Sequence, residues 1–164
     1  MADFTKLEAG PCELTFNSVN LGHTQGAVSV HYEPHFRDKN VDAYGDTPVG
    51  SVLVGELLEI TVSLAEWSYT ILKAVCPLAY DGTTYLRFGK TVGDDLYDSA
   101  AELTVHPLEQ DGTDYDLTIW KAAPKPNFEI TYSNDGDRIF NVTFVAFPDT
   151  TKADKQRLFQ MGTP

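Results

Sequence analysis

His31, Glu33 and His35 form an H-x-E-x-H run. Two imidazoles and a carboxylate are a donor set for iron or zinc. Strand-like alternation surrounds them, however, and residues four apart on a strand lie about 13 Å from each other. Both rings cannot then reach one ion at a bond length of about 2 Å. The run reads as the wet face of a strand. Asp111, Asp114 and Asp116 resemble a loose calcium loop, but the closing glutamate and flanking helices are missing. Asp94, Asp95 and Asp98 read the same way, as solvated turn acids. Cys12 and Cys76 fit no zinc spacing and read as two small apolar residues with free thiols. No G-x-S-x-G, P-loop or dinucleotide fingerprint occurs. The sequence therefore predicts no catalytic residue, no cofactor and no resident metal.

The chain has 164 residues, of which 42% are hydrophobic and 22% charged. That suits one domain over residues 1–164 with a real core. No apolar run reaches the roughly 18 residues needed to cross a bilayer, so no membrane partner is expected. The opening residues MADFTKLEAG lack a basic region followed by an apolar stretch, which predicts folding in a cytosol. Twenty-four acidic against twelve basic residues give a net charge of −12. Such a protein repels phosphates and is not expected to hold nucleic acid.

The elements that would carry these side chains are mostly strands. Residues 11–17 and 26–36 alternate apolar and polar, with Val28, Val30, Tyr32 and Phe36 on one face. Residues 37–50 break the pattern with polar residues, two glycines and a proline. At about 14 residues this is long for a connection. A strand resumes over 51–64, with Leu58, Ile60, Val62 and Leu64 on one face. Ser63-Leu64-Ala65-Glu66 has capping-box spacing, and Trp67, Ile71 and Val75 follow at helical period. This predicts one helix of about 11 residues, ending before Pro77. Trp67 is expected in the core and Trp120 at a subunit contact. Strands follow at 83–91, 101–107, 115–121, 127–133 and 137–147, with a hairpin signal at Asn134-Asp135-Gly136. The predicted fold is mainly β, an antiparallel β-sandwich or barrel with one packed α-helix.

That order of strand, strand, long loop, strand, helix and further strands resembles the tail tube proteins of long-tailed bacteriophages. Gly10-Pro11-Cys12-Glu13-Leu14-Thr15-Phe16 is similar to the opening strand of that family, and Leu21-Gly22-His23-Thr24-Gln25-Gly26-Ala27-Val28 to its next turn and strand. Asp42-Ala43-Tyr44-Gly45-Asp46-Thr47-Pro48-Val49 is similar to its long loop, and Arg138-Ile139-Phe140-Asn141-Val142-Thr143-Phe144 to its closing strand. The resemblance implies hexameric rings whose sheets join into one barrel and stack into a tube, the conduit for DNA ejection. Tubes of contractile and type VI secretion systems share that architecture. The implied partners are other copies of the chain, the tape measure, terminator and baseplate proteins, and DNA in transit only. The implied location is the virion tail, assembled in the host bacterial cytoplasm.

Four strands from each of six subunits would give a backbone circle of roughly 50 Å, wide enough for a DNA duplex. Six copies at −12 sum to −72 per ring. Alternation then assigns faces. The apolar sets should pack inward on each subunit: Val28, Val30 and Tyr32; Leu58, Ile60 and Val62; Phe128, Ile130 and Tyr132; Phe140, Val142 and Phe144. The opposite sets should face the lumen: Ser29, His31 and Glu33; Glu59, Thr61 and Ser63; Glu129, Thr131 and Ser133; Asn141 and Thr143. The 37–50 loop, with Arg37, Asp38, Val41, Asp42, Tyr44, Gly45, Asp46 and Pro48, is expected to contact neighbouring subunits. Other tail rings (a tube terminator or baseplate hub) remain open. So do a small metal-binding β-barrel enzyme, resting on the H-x-E-x-H run, and a sugar-binding β-sandwich, resting on its tyrosines.

Overall fold

Alternation in the long strand over 51–64 sets the core. Leu58, Ile60, Val62 and Leu64 are all buried, on the same side as Phe140, Val142 and Phe144 of the strand beside it. The computed structural model describes residues 10–90, 92–130, 132, 136 and 138–164. The strands are β1 (Cys12–Phe16), β2 (Val19–Asn20), β3 (Ser29–Asn40), β4 (Pro48–Leu64), β5 (Tyr80–Asp81), β6 (Leu86–Arg87), β7 (Ala101–Pro107), β8 (Leu117–Pro126), β9 (Phe140–Ala146) and β10 (Phe159–Met161). The helix α1 spans Tyr69–Val75. One antiparallel sheet runs β2-β1-β7-β8-β9-β4-β3, with β10 also on β8, while β5 and β6 form a separate small hairpin. The protein is thus mainly β, with one helix laid on the core face through Ile71, Leu72 and Val75.

The sheet curls until its ends meet. The Phe16 and Phe144 rings, from strands well apart in the sheet, lie 5.1 Å apart. The 21–25 segment ties the ends together. Leu21 N–H bonds Leu14 O, Gln25 N–H bonds Ser63 O, and Ala65 N–H bonds His23 O, each at 2.9 Å. Leu21 fills this seam and is fully buried. At the β1–β2 turn, Asn17 and Ser18 both take positive φ, 48° and 63°. A two-residue turn needs this to match the strand twist.

Several sequence expectations change. The capping box at Ser63 does not form. Ser63 stays in β4 and donates to Asn141 Oδ1 at 2.8 Å, because Leu64 still pairs with Phe140. The helix begins instead after Ser68. Trp67 lies outside it, partly exposed and edge-on to Phe140. Of the expected 83–91 strand, residues 83–90 hold only the two residues of β6, and Thr91 lies outside the described residues. Residues 127–130 are not strand, and of the hairpin signal Asn134 and Asp135 lie outside the described residues. The strand before them, β8, extends to Pro126.

The 37–50 loop is the largest correction. Residues 37–40 belong to β3 and 48–50 to β4, leaving 41–47 as the connection, with a 3-10 turn over Asp42–Tyr44. The two strands pair from Ser29↔Thr61 out to Asn40↔Pro48, with Val54 left unpaired where the register shifts after His35. From Phe36 to its tip this hairpin arm is exposed on both sides apart from half-buried Val52. With no buried face it needs no apolar alternation, so its strands are silent to a periodicity reading.

The C-terminal half of β8 forms an unusual margin. Asn127 N–H bonds Asn141 O and Phe147 N–H bonds Lys121 O, so odd-numbered residues point their backbone groups at β9. Even-numbered ones point the other way, where β7 has ended at the Ala101↔Ala122 pair. Both such residues, Pro124 and Pro126, lack an N–H. This margin carries no donors, and Pro124 is fully buried, so it offers no open backbone edge for strand addition.

Candidate assembly surfaces

Cross-strand register brings most of the expected polar residues onto one face. Ser29 stands opposite Thr61, Thr61 opposite Thr143, and Thr143 opposite Lys125. His31 stands opposite Glu59, and Ser63 opposite Asn141. Ser29, His31, Glu33, Thr61 and Asn141 are exposed, and Glu59, Ser63 and Thr143 are half-buried. The face therefore spans four neighbouring strands, β3-β4-β9-β8. Hydrogen bonds knit it: Thr61 and Thr143 hydroxyls lie 3.4 Å apart, next to the Ser63–Asn141 bond.

Three features of this face differ from expectation. Lys125 joins it, so the face is not purely acidic. Glu129 is exposed but lies beyond the end of β8, and Thr131 and Ser133 lie outside the described residues. Val145 and Ala123 sit in the His31–Glu59 row and are buried. The turn over Leu96–Ser99 packs against β8 near them, with Tyr97 edge-on to Phe147 at 5.8 Å. The open part of the face is therefore concentrated on β3, on β4 near Thr61, and on Asn141 and Lys125.

The inward sets behave unevenly. The β4 and β9 sets are buried, as expected. On the edge strand β3, Val28 packs on the core but Val30 and Tyr32 remain exposed. Tyr32 donates to Glu56 Oε1 at 2.5 Å, which pushes its phenol pKa up, and it lies edge-on to Phe159 at 5.4 Å. Phe128 is partly exposed and stacks on Phe140 at 4.5 Å, while Tyr132 is exposed.

The arm carries the expected contact residues. Arg37 and Asp38 lie in β3, Val41 precedes the 3-10 turn that holds Asp42 and Tyr44, Gly45 follows at φ 58°, and Asp46 leads to Pro48 at the start of β4. All eight are exposed. Asp38 accepts a hydrogen bond from Ser51 at 2.9 Å. Apart from Phe36, the periodicity reading did not single out the apolar side chains along the arm. Phe36, Val49, Leu53 and Val54 are about half exposed or more, and Tyr44 is 67% exposed at the tip.

The groups singled out for chemistry are dispersed. Glu33 lies between the two histidines, 3.3 Å from His31 Nε2 and 3.9 Å from His35 Nδ1, on open strand surface. Among the described residues no three His, Cys, Asp or Glu side chains converge as a metal set. Asp116 pairs with His106 at 2.6 Å, Asp95 accepts from Tyr97 N–H at 2.9 Å, and Asp94 pairs with Lys90. Asp111 and Asp114 are exposed. Cys12 and Cys76 are free thiols, and burial pushes Cys76 up to about 11. Trp120 is covered by its own chain: its indole N–H bonds Gln156 O at 3.0 Å, and Lys152 Nζ sits 4.0 Å from the ring centroid. Among the described residues no helix is long and apolar enough to cross a membrane. No protein-family model matches the chain, and no curated protein does.

Proposed function

We propose that this chain is a structural virion protein that self-assembles into stacked hexameric rings, forming a bacteriophage tail tube through which DNA is ejected. The observation that carries this reading is the β3–β4 arm. Its length is held by ladder hydrogen bonds and the Ser51–Asp38 and Tyr32–Glu56 side-chain bonds, and its apolar side chains have little to bury them within one subunit. Exposing Phe36, Tyr44, Val49, Leu53 and Val54 on one projection is costly unless a partner covers them. A second support is the open polar face of β3 and of β4 near Thr61, continued by Asn141 and Lys125. It fits a wall turned to water, with each subunit's core behind it.

In this role the partners are other copies of the chain, with tape measure, terminator and baseplate proteins at the tube ends. DNA passes through without being held, because the chain's net charge of −12 disfavours phosphate binding. No catalytic step is required. Negative-stain microscopy and sedimentation velocity across a concentration series test the reading. Six-fold rings or tubes are the expected result. A protein that stays monomeric at millimolar concentration overturns it.

A further inference from the structure

The tip of the arm has a distinctive composition. Over residues 41–47 it holds two acids, Asp42 and Asp46, and no base, with Tyr44 between them. Nothing in its own subunit pairs with these groups among the described residues.

A matching cavity lies at the other end of the molecule. Beside the donor-free margin of β8, a pocket of about 190 Å³ is lined by Pro77, Leu78, Phe88, Pro124 and Pro126, among others. It adjoins a compartment of about 460 Å³ that shares Leu78 and Phe88 and adds Arg87. Lys90 lines both. The acids nearby are already engaged: Asp81 by Lys73 at 2.7 Å, and Asp94 by Lys90. Lys73 and Lys90 are engaged in turn by those acids, so of these three cations Arg87 alone has no acid partner among the described residues. The Arg87 guanidinium lies 4.9 Å from the centroid of the Tyr85 ring.

The two features lie at opposite ends along β4. Pro126 is level with Val142, and Val142 with Val62. The tip begins at Pro48, roughly 45 Å along β4 from Val62 by strand rise. The groove also lies on the β8 side of the polar face and the arm on the β3 side. A projection at one end and a complementary groove at the other make a head-to-tail contact, which repeats without closing on a single pair.

We propose that Tyr44 of one copy seats in the groove formed by Pro77, Leu78, Phe88 and Pro126 of the next, with Asp42 and Asp46 meeting Arg87 and Lys90. This rests on the self-assembly reading and names the site that receives the arm. The prolines suit it, because a tyrosine ring packs on them without needing a backbone donor. Arg87 gives the tip's acids a destination on an otherwise acidic protein, with Lys90 shared between them and Asp94.

The test uses the full-length protein with a benzophenone amino acid at position 44, mixed with isotope-labelled protein lacking the probe. After assembly and irradiation, adducts should join position 44 of one copy to peptides holding residues 77–90 or 124–126 of another. Adducts elsewhere on a neighbouring copy, with normal tubes, overturn the groove and leave the tube reading intact. Failure of the unmodified protein to assemble overturns both. A charge exchange gives an independent check. D42K/D46K and R87E/K90E should each raise the critical concentration for assembly roughly tenfold. Combining all four should restore much of the loss, and absence of rescue, with folded monomers by circular dichroism, counts against the pairing.

Discussion

Phe36 and Leu53 stand opposite one another across the arm, and both face water, at 61% and 47% exposure. A cross-strand apolar pair usually stabilises a sheet by covering a core. Here it covers none. Replacing both with serine should change monomer stability by only about 0.5 kcal/mol. If the pair is a contact between copies, the same change should abolish assembly. Denaturant melts and sedimentation together decide this. A double variant that assembles normally removes the arm from the interface.

Ser18 offers a prediction about the fold alone. Its φ of 63° is disfavoured for any residue with a Cβ, and the turn it completes with Asn17 favours glycine second. Ser18→Gly should stabilise the protein by roughly 0.5 kcal/mol, the relief exceeding the added freedom of the unfolded chain. A lower midpoint in urea would contradict this.

The polar face can be probed by charge. Glu33 is exposed and Glu59 half-buried, with Lys125 farther along the same face. Glu33→Lys with Glu59→Lys removes two negative charges and adds two positive ones, a net shift of +4 on each subunit's wall. Tubes should still form, since both positions reach water. DNA ejection should slow, most strongly at low salt. Unchanged ejection kinetics at low salt would place this face away from the channel.

Cys76 should behave as an inert thiol. Burial raises it to about 11, whereas an unfolded cysteine ionises near 8.5, at about the ordinary value. The unfolded chain thus loses its proton first as pH rises. The thiol's contribution is complete below about 8.5 and is lost progressively up to about 11. Wild type should lose stability over that window more steeply than Cys76→Ala. At pH 8 an alkylating reagent should modify Cys76 only after denaturant is added. Rapid labelling of native Cys76 would contradict its burial.

Much of the sheet was legible because burial writes itself into alternation. Leu58, Ile60, Val62 and Leu64 announce β4, and Phe140, Val142 and Phe144 announce β9. The legible part ends where burial ends. Arg37–Asn40 and Pro48–Gly50 pair as strands with both faces wet, so nothing in their order separates them from a loop. Ser63 and Glu66 have helix-start spacing, yet pairing of Leu64 with Phe140 outweighs one cap. Within the polar face, β3, β4 and β9 were readable one by one. That Lys125 joins them could be known only once β8 was placed beside β9, because register between distant strands leaves no mark on either alone.

The proline margin of β8 has a kinetic consequence. A sheet edge with free N–H groups can capture any extended segment, and growth by backbone capture is indiscriminate. Pro124 and Pro126 withhold that route. Association on this side then depends on side chains that must all align at once, so the first productive encounter is rare and later ones are fast. Such a protein still assembles at high concentration, but growth through this side starts slowly and quickens once the first correctly oriented copies have formed. A lag phase that disappears on adding preformed fragments would be its signature.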